Sequence, residues 1–239
     1  MLSKDSDFSY AQENGLIELT DADLEGGGIL KPDLNDLVRL HKIVRKNKYM
    51  RALEFGAGFS TLILADALKK HNKELRSSGF GKSHPLKGLD YKVYSVDASE
   101  FWIKKLSERI PTDLEAHIDI SYSEVMIGEF CGQLCHYYRK LPDIVPDFIY
   151  LDGPDPRQVK GAVHGLSFEN CHRTPMAADI LLYESTLLPS TLILVDGRTN
   201  NARFLERNLS RKYEILWDQD NDVTTFELLE SPLSGATLK

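Results

Sequence analysis

Two hydrophobic periods alternate along this chain, and the switches between them mark out its elements. Leu34, Leu37, Val38, Leu40, His41 and Val44 recur every three or four residues, which predicts an amphipathic helix opening after Pro32-Asp33. It closes in the basic run 45–48, and cations suit a helix C-terminus. Residues 50–55 then form an apolar run, the first expected strand, and residues 60–71 a helix. The stretch 72–90 is rich in turn formers and charge and reads as a surface insertion. Residues 91–96 are the second strand, ending in Asp97, with Ser99 placed as the N-cap of a helix through Trp102, Ile103, Leu106 and Ile110.

The second half repeats the pattern. A third strand is expected over 116–122, a mixed segment at 124–140 has helical spacing, and 146–151 is a fourth strand ending in Asp152. After a long polar stretch, 153–175, come a helix over 176–188, a strand over 191–195 ending in Asp196, and a helix over 200–209. Two β-rich runs, 213–217 and 223–229, flank Asp218-Gln219-Asp220-Asn221-Asp222, a hairpin pattern. Strands alternating with helices predict an α/β protein. Its doubly wound, mainly parallel seven-stranded sheet would end in an antiparallel hairpin. Residues 1–32, with Glu25-Gly26-Gly27-Gly28, read as a polar extension or lid before a single domain over 33–239. Within that domain 72–90 is an insertion and 153–175 an acceptor loop.

Chemistry gathers at the strand ends. Glu54 precedes Gly56-Ala57-Gly58, a strand, tight turn and helix start in succession. Glycine is needed where backbone dihedrals are unusual or a ligand comes close. Asp97, Asp152 and Asp196 each end a strand, so the topology should bring all three to one sheet edge beside that turn, where open α/β sheets bind ligands. A nicotinamide dinucleotide fingerprint, G-x-G-x-x-G, would need glycine where Thr61 stands. No Tyr-x-x-x-Lys pair follows Tyr183. Gly81-Lys82-Ser83 lacks the upstream glycine of a phosphate loop. The net charge of −7 disfavours nucleic acid, and no apolar run reaches the roughly 20 residues a membrane helix needs. A cytoplasmic protein is expected. The three cysteines make no disulfide framework. Cys131 and Cys135, spaced for one helix face, with His136 next to the second and Cys171-His172 further on, read as reduced thiols and ordinary histidines and not as a zinc site.

Leu53-Glu54-Phe55-Gly56-Ala57-Gly58-Phe59-Ser60 resembles motif I of the class I methyltransferases that use S-adenosylmethionine, with Ser60 at the last glycine position. Tyr94-Ser95-Val96-Asp97 resembles the next motif, whose acid binds the ribose hydroxyls, and Asp147-Phe148-Ile149-Tyr150-Leu151-Asp152-Gly153-Pro154 the fourth-strand motif. The resemblance implies S-adenosylmethionine held by Glu54, Gly56, Ala57, Gly58, Ser60, Asp97, Ala98, Ser123 and Asp152, with adenine near Tyr122 and Ser123. It further implies a base, Asp152, with His164 and His172 as rivals. Catechol-type members place Mg²⁺ on residues matching Asp152 and Asp196; Gly197 stands where their asparagine would be, with Asn200 and Asn201 nearby. Within the class, the turn after Leu151 and the stretch 195–205 look like bacterial enzymes linked to polysaccharide or sugar modification. That implies a small-molecule or glycan acceptor methylated on oxygen. A nicotinamide-dependent oxidoreductase and a non-catalytic adenosyl-binding protein are the alternatives.

Overall fold

In the computed structural model, residues 4–20, 33–78, 90–168 and 176–230 are described. The strands of the main sheet are β1 (Arg51–Phe55), β2 (Lys92–Asp97), β3 (Ile118–Tyr122), β6 (Phe148–Leu151), β8 (Leu192–Asp196), β9 (Tyr213–Asp218) and β10 (Val223–Leu228). Their order is β3-β2-β1-β6-β8-β10-β9, and only β10 and β9 run antiparallel to their neighbours. The strand order reverses between β1 and β6, where Ala52 pairs with Phe148 and Phe55 with Leu151. Such a reversal opens a crevice at the carboxyl ends of the strands. β1, β6 and β8 are buried along nearly their whole length, as parallel strands covered on both faces must be.

Helices α3 (Leu34–Asn47) and α4 (Phe59–Ser77) cover one face, their apolar stripes meeting Ala52, Phe148, Tyr150 and Leu194. On the other face α6 (Asp179–Tyr183) and α7 (Thr199–Asn208) enclose Phe55, Ile149, Ile193 and Phe226. Asp33 caps α3 by accepting the Asn35 N–H, and Ser99 caps α5 (Glu100–Ser107) by accepting that of Trp102.

Several expectations are corrected. The polar extension is not all lid: α1 (Lys4–Glu13) and α2 (Leu16–Thr20) are packed, with Ala11 and Leu16 fully buried against Val38 and Ile63. Lys42 pairs with Asp7 at 2.6 Å, and the Tyr10 hydroxyl meets His41 at 2.8 Å. The first six residues of the supposed insertion continue α4, while 79–89 lie outside the described residues.

The segment 124–140 is not helical. It forms a hairpin, β4 (Val125–Phe130) with β5 (Gln133–Tyr138), whose turn places Cys131 at φ 49° and Gly132 at φ 76°. Two central residues with positive φ make the turn that matches strand twist. A short β7 (Val159–Lys160) adds to β4, building a second, three-stranded sheet. Cys131 is consequently exposed and Cys135 buried, on no shared helix face; Cys171 is not among the described residues. The helix expected over 176–188 is shorter, α6 followed by a 3₁₀ turn at Glu184–Thr186. No helix of the described residues is long and apolar enough to cross a membrane.

Candidate active site

Two loops cross at the reversal point with almost no space between them. Gly56 turns the chain at φ 100°, its N–H bonded to the Val96 carbonyl at 2.9 Å. From the other side the Gly153 and Asp152 N–H groups both donate to the Phe55 carbonyl, at 2.5 and 3.2 Å. A Cβ on Gly153 would lie 2.5 Å from the Gly56 Cα, and one on Gly56 3.0 Å from the Gly153 nitrogen. Both positions therefore require glycine, and for Gly153 the reason is contact alone.

Gly58 then opens α4, its N–H donating to the Thr61 Oγ1 while its carbonyl accepts the Thr61 N–H. Glu54 lies beneath this turn, fully buried. It accepts hydroxyl bonds from Ser60 (2.5 Å), Thr61 (2.6 Å) and Ser95 (2.5 Å). Burial pushes its carboxyl up to about 7 against the pull of those three hydroxyls. So Glu54 faces away from the cleft, because the first turn of α4 roofs it. It fixes the glycine turn from below and is not part of the cleft lining, where the resemblance implied a direct cofactor contact.

Asp97 does face the cleft. Its Oδ2 accepts the Ala57 N–H at 2.8 Å and its Oδ1 the Ser99 N–H at 2.6 Å, tying the ends of β1 and β2 together. Burial raises its pKa more than these backbone donors lower it. Ala98 and Ser123 do not line the cleft. The Ser123 hydroxyl accepts the Lys140 N–H and its own N–H bonds the Asp97 carbonyl, so it fastens the β4–β5 hairpin to the end of β2.

The opposite wall is acidic. Asp152, Asp155 and Asp196 line it with Gly153, Pro154, Arg157, Gln158 and Gly197, while Asp33, Asp36 and Leu37 close the α3 side. The cleft measures about 570 Å³. Asp152 is reached by water yet walled by protein, and desolvation raises its pKa. Arg198 opposes that shift; Asp196, Asp36 and Asp97 add to it. The Arg198 guanidinium bonds the carbonyls of Asp152 (2.9 Å) and Pro154 (3.0 Å), so a β8-side cation pins the β6 loop. Asp196 accepts the Tyr150 hydroxyl at 2.8 Å, and Arg39 reaches both Asp36 (2.9 Å) and Asp196 (3.5 Å).

Not every expected residue arrives. His164 is exposed in a turn at φ 49° and is not part of the cleft lining; the chain bends back at Val163 and Leu166 before it can reach. His172 lies outside the described residues. Asn201 is buried with its amide spent on the Ala177 N–H (2.7 Å) and carbonyl (3.2 Å), so it offers Asp196 no help as a ligand. Among the described residues no group of three or more His, Cys, Asp or Glu is arranged to hold a metal ion. Asp152 and Asp196 do share a smaller pocket with Asn200.

Sequence reasoning missed several cleft residues, Asp36, Phe59, Trp102, Tyr150 and Asp155, while Arg157 and Gln158 arrive from the expected acceptor loop. Asp155-Pro156 after the fourth-strand glycine was the one available cue. Asp155 caps a 3₁₀ turn there and holds Arg157 at 2.6 Å.

No protein-family model and no curated protein sequence matches the chain. Solved structures do match. The SAH-bound methyltransferase PaMTH1 of Podospora anserina superposes with a TM-score of 0.52 at 13% identity, covering 95% of each chain. A candidate caffeoyl-CoA O-methyltransferase from Staphylococcus aureus gives 0.51 at 14% identity, over 96% of this chain and 100% of that one. The fold is thus that of the class I methyltransferases, with its mostly parallel seven-stranded sheet and terminal antiparallel hairpin.

Proposed function

We propose that this chain is an S-adenosylmethionine-dependent O-methyltransferase acting on a sugar or other small hydroxylated acceptor. The observation that carries the reading is the cleft itself: a crease of two touching glycines and a lining of six aspartates, Asp97 among them, against one arginine. Such a lining suits a sulfonium and an ammonium and repels a dinucleotide pyrophosphate. Asp97 keeps lone pairs for the ribose hydroxyls, and the glycine turn backs the methionine moiety. Trp102 lines the same cleft and supplies an aromatic face for the adenine.

Asp152 serves as the base. The acceptor oxygen attacks the methyl carbon, the carbon–sulfur bond breaks with its electron pair passing to sulfur, and the acceptor proton passes to the Asp152 carboxylate. S-Adenosylhomocysteine and a methyl ether leave. A carboxyl whose pKa is raised by desolvation is a stronger base than an ordinary one once it is ionised. Alignment of oxygen, carbon and sulfur supplies much of the rate, and the loop pinned by Arg198 keeps Asp152 in place for it. Arg157 and Gln158 give the acceptor hydroxyls polar partners on the same wall.

Calorimetric titration with S-adenosylmethionine, S-adenosylhomocysteine and NADH tests the reading. Micromolar adenosyl binding with NADH silent is expected; NADH binding, or no heat from either adenosyl compound, overturns it. Turnover on a panel of sugars and polyols then tests the acceptor class.

A further inference from the structure

We infer that two copies of this chain join through strand β9, aligned on a two-fold axis at Ile215. β9 is an edge of the main sheet, hydrogen-bonded to β10 on one side only. Edges of this kind are ordinarily short, charged, bulged or covered. Here Ile215, Leu216 and Trp217 are 39, 61 and 51% exposed in succession, on both faces of a six-residue strand whose charges, Glu214 and Asp218, flank that run. Lys212, just before the strand, is exposed and takes part in no ion pair among the described residues; Asp218, at its far end, bonds only its own turn through Asn221.

The charge pattern selects one register. Two identical strands pairing antiparallel are related by an axis perpendicular to the sheet. Each residue then meets one on its own face, so the paired numbers sum to an even value. An axis at Glu214 would set that carboxylate against its own copy. An axis at Leu216 would set Glu214 against Asp218 of the second copy. Like charges directly opposite are destabilising. An axis at Ile215 removes both clashes. It sets Lys212 opposite Asp218, Tyr213 opposite Trp217 and Ile215 opposite itself: an ion pair and an aromatic pair twice each, around an apolar centre. The seven-stranded sheets become one of fourteen strands. Asp218 and Asp196 both pair with Val223, so Asp218 marks the cleft edge of the sheet, and the two clefts open at opposite edges of the dimer.

The test uses the full chain in light scattering and sedimentation velocity. The wild type is expected at twice 27.1 kDa. Lys212→Asp and Asp218→Lys each turn two attractive pairs into repulsive ones and should raise the dimer dissociation constant about tenfold or more. The double variant Lys212→Asp/Asp218→Lys restores opposite signs and should recover the dimer, which separates pairing from a folding defect. In a Cys131→Ser/Cys171→Ser background, Ile215→Cys should cross-link to its own copy under mild oxidation, since facing residues across paired strands lie within disulfide reach; Leu216→Cys should not. A monomer at every concentration, or a dimer indifferent to the single charge reversals, overturns the inference. It does not depend on the enzymatic reading.

Discussion

Gly153→Ala is the sharpest probe of the site, because the perturbation is one methyl group and its surroundings are backbone. The new carbon would sit 2.5 Å from the Gly56 Cα, 2.7 Å from the Gly56 nitrogen and 2.9 Å from the Phe55 oxygen. None of these is the end of a flexible side chain. An ordinary contact needs at least 3.4 Å, so the two loops must part by roughly 1 Å at the crease. That separation strains or breaks the Gly153 and Asp152 N–H bonds to the Phe55 carbonyl. Overpacking costs about 1–3 kcal/mol and a lost hydrogen bond about 1, while the stiffer unfolded chain returns about 0.4–1. The net is a destabilisation of about 2 kcal/mol, or a fall in Tm of about 4–8 °C for a chain of this size. Because the displaced segment is the glycine turn itself, affinity for S-adenosylhomocysteine should fall at least about tenfold at temperatures where the protein stays folded. Scanning calorimetry and titration calorimetry read the two effects. Gly132→Ala is the control, in an open left-handed position with nothing within 4 Å of the added carbon; it costs about 1–2 kcal/mol of backbone strain and should leave binding intact. Wild-type affinity in Gly153→Ala, with an unshifted Tm, would refute the reasoning.

Three further outcomes follow from the site. Asp152→Asn should bind S-adenosylhomocysteine normally and lose turnover about 10²–10⁴-fold. In the wild type activity should rise with pH as Asp152 loses its proton, along a limb lying above the ordinary carboxylate range; retention of that limb in the variant counts against the role. Asp97→Ala should weaken adenosyl binding about tenfold or more, by removing the ribose acceptor and the Ala57 N–H partner; unchanged titration heats would place the ribose elsewhere. Glu54 holds a proton more tightly when folded than its ordinary value of 4.5, so between about pH 4.5 and 7 the native state carries more protons than the unfolded one. The contribution of Glu54 to stability should therefore be greatest below that window and decline by up to about 3 kcal/mol as pH rises through it, while His136, pushed down to about 3 by burial, works in the opposite sense up to about pH 6.5. Asp179, also pushed up to about 7 by burial, adds in the same direction as Glu54. Glu54→Gln should flatten the slope in denaturant melts taken across pH, and an unchanged slope would assign it to Asp179 alone.

The first strand, the glycine turn and the acid-tipped strands were legible because parallel strands buried on both faces read as continuous apolar runs. The turn and acids that follow them break that pattern sharply. The hairpin of β4 and β5 was not legible. Its turn, Cys131-Gly132, lacks the Asn or Asp that ordinarily announces one, and Gly128 sits within the strand because the Tyr137 ring lies across it. Nor was the packing of α1, which rests on Lys42 and His41, residues 35 and 31 positions away.

What the sequence determined is therefore local: which residues end strands, where glycine must turn the chain, and that Asp97, Asp152 and Asp196 share one edge. What only the tertiary structure decided is direction. Glu54 and Asp97 look alike as acids at strand ends, yet the first turn of α4 roofs Glu54 while Asp97 stays open to the cleft. Asn201 looked available beside Asp196 until a segment 24 residues away claimed its amide. Side-chain orientation depends on partners far apart along the chain, and one-dimensional periodicity carries no term for them.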